Sequence, residues 1–174
     1  MKKIKTQPKQ EKEPMNKNTK ILIYVLTGIL ALAVIIMILV ENSGSYIKIN
    51  NKTDLKLQSV TTYFQDDEGE VYNEHIFEDL EGGNLIKQDF DKVNFSYNQA
   101  TLRVSFIFEG QEQNFFVDAG YFIGQFKGKV NIDFSNTEDG NILLKVKASG
   151  GILPTPNISC DEEYVFDLIE GELE

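Results

Sequence analysis

The 174-residue sequence predicts an all-β fold: an antiparallel β-sandwich ectodomain behind a single N-terminal transmembrane helix. Three observations point there. Residues 21–40 form an apolar run without one charge. Beyond it, apolar and polar residues alternate with a period of two, and no long stretch shows helical apolar spacing. Turn-forming residues punctuate that alternation at spacings of about 8–12 residues, the rhythm of sandwiches and barrels. Nothing in the spacing specifies barrel closure, so a sandwich is expected. The chain divides accordingly into a disordered basic cytoplasmic tail over 1–20, the helix over 21–40 and an extracytoplasmic domain over 41–174.

The tail holds seven lysines against Glu11 and Glu13, together with Pro8, Pro14 and few apolar side chains. Such a composition cannot bury enough surface to fold. The apolar run then matches a bilayer's hydrocarbon core, because a helix rises about 1.5 Å per residue and that core is about 30 Å thick. A cleavable signal peptide has a shorter apolar stretch of about 7–15 residues with a small-residue cleavage site behind it. Here Ala31-Leu32-Ala33 lies inside the run, and Ser43-Gly44-Ser45 is an imperfect site behind too long a core, which favours a retained anchor. No cysteine follows the run directly, as a lipoprotein anchor would need.

Charge sets the expected orientation. Beyond Val40 ten basic residues stand against 25 acidic ones, the reverse of the tail. Lysine-rich flanks stay on the cytoplasmic side of the cell membrane, so the N-terminus is expected inside and the C-terminal domain outside. The lipid bilayer is the first partner, and the lysines suit its anionic headgroups. Lysine-rich composition with Arg103 as the single arginine, and frequent Asn and Ile, fits an AT-rich bacterial genome. The acidic domain would repel phosphates, so no nucleic acid is expected.

Within the domain, "ATLRVSFIFEG" (100–110) places Leu102, Val104, Phe106 and Phe108 on one face and Thr101, Arg103, Ser105 and Glu109 on the other. "GKVNIDFSNTEDGNILLKVKASG" (128–150) reads as a hairpin: Val130, Ile132 and Phe134 alternate, Asp139-Gly140 turns, and Ile142, Leu144 and Val146 return. Further strands are expected over 46–50, 55–65, 71–77, 84–90, 113–117 and 164–169. "DDEGE" (66–70) and "EGG" (81–83) supply turns between them. The apolar parity in 55–65 changes near Ser59, from Leu55 and Leu57 to Val60 and Phe64, which predicts a bulge there.

"NNKTDLKLQSVTTYFQDDEGEVYNEHIFEDLEGG" (50–83) resembles the opening half of bacterial extracytoplasmic immunoglobulin-like modules. The matching positions are Asn51, Thr53, Leu57, Val60, Tyr63, Phe64, Asp66, Gly69, Val71, Leu80 and Gly82. The resemblance covers about a quarter of the chain, and it implies a binding or spacer domain without catalysis.

Candidates for chemistry are few. His75 is the single histidine and Cys160 the single cysteine, so any histidine-dependent nucleophile would have to use His75. Its setting in "EVYNEHIFED" is that of a surface or edge histidine. Cys160 is expected as a small buried hydrophobe. Asp66, Asp67, Glu68 and Glu70 cluster, but without the alternate-position acids and sixth glycine of a calcium loop, so no metal and no cofactor are expected. "LPTPN" (153–157) is a proline-rich loop rather than a wall-sorting signal. The remaining oddity is "NFFVDAGYFIGQFKGK" (114–129), where aromatics crowd between glycines at 120, 124 and 128. Adjacent aromatics of this kind are buried on both sides or meet a partner. Phe116, Tyr121, Phe122 and Phe126 are the candidate binding residues.

The expected function is a single-pass, membrane-anchored extracytoplasmic binding or scaffold protein of a bacterial cell envelope, not an enzyme, with another envelope protein as partner. The alternative is a sensor or regulatory subunit of a membrane enzyme or transporter, acting through Thr27, Gly28 and Ala31 of the helix.

Overall fold

The structure is a computed structural model that describes residues 16–41, 44–151 and 155–167. The expected disordered tail lies outside the described residues up to position 15. The helix and the β-rich remainder form separate compact units that divide between Leu39 and Val40.

Helix α1 (Lys17–Glu41) covers the apolar run. Residues 17–20, expected in the disordered tail, are its first turn. The reason is local: Asn16 caps the helix, its Oδ1 accepting the Asn18 N–H at 3.2 Å and its carbonyl the Lys20 N–H at 3.0 Å. Lysine is also a good helix former, so charge alone does not delay the start. Apolar side chains are exposed all round α1, from Leu22 to Leu39. It is the one described helix long and apolar enough to cross a membrane, as a membrane anchor or a signal sequence would be.

Ten described strands follow: β1 (Ser45–Asn51), β2 (Leu57–Asp66), β3 (Val71–Leu80), β4 (Leu85–Phe90), β5 (Val93–Phe108), β6 (Phe115–Phe126), β7 (Lys129–Asn136), β8 (Ile142–Ser149), β9 (Ile158–Ser159) and β10 (Asp161–Phe166). They make two five-stranded sheets, β10-β8-β7-β1-β4 and β3-β2-β5-β6-β9. The expected hairpin is β7–β8, paired from Lys129 with Ser149 to Asn136 with Ile142. The two-residue β9 was not expected, and residues 168–169 of the last predicted strand lie outside the described residues.

The expectation of a purely antiparallel arrangement fails at β1. It runs antiparallel to β4 but parallel to β7, Ile49 opposite Ile132. Period-two alternation fixes which face a side chain takes and carries no information on strand direction. Hairpin turns imply antiparallel neighbours, but β1 and β7 are joined by no turn, so their pairing left no local trace.

The inner faces meet through aromatics. Phe106 on β5 lies 4.9 Å, centroid to centroid, from Phe134 on β7 and 5.0 Å from Phe166 on β10. A second cluster, Phe64, Phe95, Phe122 and Phe126, lies within the second sheet, and Phe90 of β4 in the other sheet stacks on Phe126 at 5.9 Å. These edge-to-face and tilted contacts suit the ring quadrupole and add to the area buried. The architecture is sandwich-like.

The segment around Asn51 and Thr53 has a structural task. Asn51 and Thr53 are buried, and Asn51 Nδ2 donates to the carbonyls of Leu55 at 2.8 Å and Leu80 at 3.0 Å. Thr53 donates to Asn51 Oδ1 at 2.7 Å. A Cβ at Gly82 would stand 2.6 Å from the Thr53 carbonyl, so the "EGG" turn needs glycine there. The bulge expected near Ser59 is present, as a register shift between Leu57 and Ser59 against β5.

Candidate recognition surface

Strand β6 positions the candidate residues, and it divides them. Phe122 and Phe126 have no exposed surface and belong to the core. Phe116 is 57% exposed and Tyr121 39%. The four therefore do not form one surface. Phe116 and Tyr121 face outward with Ile123, also 39% exposed, which sequence reasoning left out.

The division has a local cause. Phe115, Val117 and Ala119 point inward, and then the inward set jumps to Phe122 and Phe126. Opposite this jump, Leu102 pairs with Ala119 and Ala100 with Phe122, so three steps on β6 match two on β5. Gly120 makes that bulge, with φ at +61°. A Cβ on it would stand 2.2 Å from the Ser159 carbonyl and 2.4 Å from Cys160 Cβ. The chain between β9 and β10 thus crosses directly over Gly120.

Two side chains of β10 complete the edge of β6. Glu162 Oε1 accepts the Gly120 N–H at 2.9 Å, and the Tyr164 hydroxyl lies 2.9 Å from the Asp118 carbonyl and against Glu162 Oε2. Burial, then this carboxylate, pushes the Tyr164 phenol above its ordinary range. Cys160 is buried beside them, and burial pushes its thiol up to about 12, so it remains an unreactive thiol at neutral pH.

On the outer face, the row Tyr63–Arg103–Asp118 crosses β2, β5 and β6, and the next row is Thr61–Ser105–Phe116. Arg103 grips Asp118 with two hydrogen bonds, Nε at 2.6 Å and Nη2 at 2.9 Å. Its guanidinium also lies 5.7 Å from the Phe116 ring and 6.0 Å from that of Tyr63. The Asp118 hydrogen bond holds the guanidinium yet more firmly protonated. Beside Ile123 a depression of about 460 Å³ is lined by Asn94, Gly124, Gln125 and Asn157. The result is an aromatic and aliphatic stripe with polar groups at its margins, a surface suited to burying apolar area and giving few directional contacts.

The other candidates lie elsewhere. Asp66 forms the β2–β3 turn: its Oδ1 accepts the N–H groups of Glu68 at 3.0 Å and Glu70 at 2.8 Å, and its Oδ2 bonds Tyr72 at 2.9 Å and Asn98 at 3.3 Å. Burial alone would raise its carboxyl, but these bonds together hold it below its ordinary value. The acidic turn is thus built around its own backbone. Among the described residues no group of three or more His, Cys, Asp or Glu is arranged to hold a metal ion. His75 sits on the sheet-edge strand β3, near the rings of Phe77 and Phe90 at 6.3 and 6.4 Å, and burial lowers its pKa. Residues 153–154 of the proline-rich loop lie outside the described residues.

No family model, curated protein or solved structure matches this chain.

Proposed function

We propose that this chain is a single-pass, membrane-anchored, extracytoplasmic binding or scaffold protein of a bacterial cell envelope, without catalytic activity of its own. The observation that carries the reading is the charge-free run inside α1, apolar all round, with lysines before it and an acidic β-rich unit after it. A helix apolar on every side is solvated by lipid, and the lysine asymmetry orients it with the β-rich unit outside. The resemblance of residues 50–83 to immunoglobulin-like modules agrees with a binding role for two packed sheets. The recognition surface is the outer stripe of β6, Phe116, Tyr121 and Ile123, and its partner is another envelope protein.

Topology mapping tests this reading. A reporter that is active only outside the cytoplasm, fused after Glu174, should be active and should stay with the membrane fraction. An inactive reporter would refute the orientation. An active reporter released into the medium would show that α1 is a cleaved signal rather than an anchor.

A further inference from the structure

We infer that β4 pairs with β4 of a second copy of this chain, joining two molecules edge to edge about a two-fold axis at Gln88. Strand β4 ends its sheet, bonded to β1 alone, and no described strand covers its other side. Residues 85–89 are exposed and Phe90 is half-buried. An open strand edge is a template for another strand, and neither a proline nor a bulge blunts β4: its pairing with β1 runs from Ser45–Phe90 to Asn50–Leu85 without a register shift, and its charges, Lys87 and Asp89, are of opposite sign.

The backbone fixes which groups face outward. Asn51 N–H donates to the Asn84 carbonyl at 2.9 Å, so residue 84 turns toward β1. By the alternation of an antiparallel ladder, Ile86, Gln88 and Phe90 do the same, leaving the amides and carbonyls of Leu85, Lys87 and Asp89 on the free side.

The side chains then select both the partner and the register. Centred on Gln88, two antiparallel copies place Lys87 opposite Asp89 of the second copy, twice, and Ile86 opposite Phe90, twice. Each pair is matched in chemistry and lies on one face. Shifting the centre to residue 87 sets lysine against lysine, and shifting it to residue 89 sets aspartate against aspartate. Opposite charges directly across a ladder stabilise it and like charges destabilise it, so the sequence "LIKQDF" is self-complementary in one symmetric register. An isologous two-fold contact requires this self-complementarity. Six residues of strand bury much less than the roughly 1,200–2,000 Å² of a stable interface. The pair therefore forms where chains are concentrated, and dilute chains are monomers.

The test uses the full-length chain in membranes, carried as two differently tagged copies. Gln88→Cys places two thiols at the centre of the two-fold, facing each other as a pair outside the hydrogen-bonded rings, with Cα atoms about 4.5 Å apart, within disulfide range. Mild oxidation should yield a disulfide dimer containing both tags, while the unaltered chain, whose Cys160 is buried, should yield none. Adding Lys87→Asp should lower the dimer yield about tenfold by opposing two pairs of aspartates. Adding Asp89→Lys to that variant should restore it, which also shows that β4 remains folded. The inference is overturned if Gln88→Cys gives no more dimer than Glu74→Cys on β3, if the yield ignores the charge changes, or if the cross-linked species lacks the second tag.

Discussion

The two faces of β6 are built from the same kind of residue and have opposite fates. Phe122 and Phe126 are sealed in the core, while Phe116 and Tyr121, on the same strand, stand out with Ile123. Residue type cannot separate them, since all are large and apolar. Position does, and the rule changes partway along the strand because Gly120 inserts one extra residue. The inner face is explained by the chain itself, through contacts such as Phe64 with Phe122 at 4.9 Å. Among the described residues, the contacts given for the outer stripe centre on Arg103, which pairs with Asp118 and lies over Phe116.

The most damaging way to break this comparison is to remove the switch. Gly120→Val puts a Cβ inside the contact distance of Ser159 and Cys160 at a positive φ that a β-branched residue avoids. The expected loss is about 3 kcal/mol or more, read by denaturant unfolding. Gly124 also has a positive φ, +74°, but its Cβ direction is open, so Gly124→Ala should cost noticeably less.

Acid should act on polar groups at the margins of the core. His75 is lowered by burial from an ordinary 6.5, so the unfolded chain takes up its proton first and stability falls as pH drops below about 6.5 toward the folded value. Asp66 is held below 3.8, so its contribution is present above that value and is lost as pH falls further through the folded value. Melting temperature against pH should therefore decline in two stages. His75→Asn should flatten the upper stage alone, and Asp66→Asn should reduce the lower. Asp133 also contributes to the lower stage, because burial raises its carboxyl but hydrogen bonds from Lys52 and Asn50 outweigh that and hold it below the ordinary value.

A smaller effect belongs to the outer face. Arg103→Ala removes a half-exposed ion pair and its contact with Phe116, and should cost at most about 1 kcal/mol in unfolding free energy.

Much of this arrangement was readable beforehand. The alternation at Leu102, Val104, Phe106 and Phe108 and the hairpin around Gly140 name their own faces, because burial on one side of a strand repeats every second residue. The Ser59 bulge was visible as a parity change. The same sign exists in β6, where Ala119 and Phe122 break the odd-numbered set, but aromatics on both sides of the break hide which face is buried. The parallel β1–β7 pair and the short β9 depend on contacts between distant residues, which leave no periodic signal. The helix start at Asn16 was legible as a cap and was masked by the lysines around it.

The most direct test is a set of melts on four alanine variants of the full-length chain in detergent, followed in the β-sheet circular dichroism band. Phe122→Ala and Phe126→Ala should each lose about 3–5 kcal/mol, a drop of about 10–20 °C. Phe116→Ala and Tyr121→Ala should stay within about 3 °C of the unaltered protein. If the outer pair falls as far as the inner pair, the stripe is structural and β6 offers no surface for recognition.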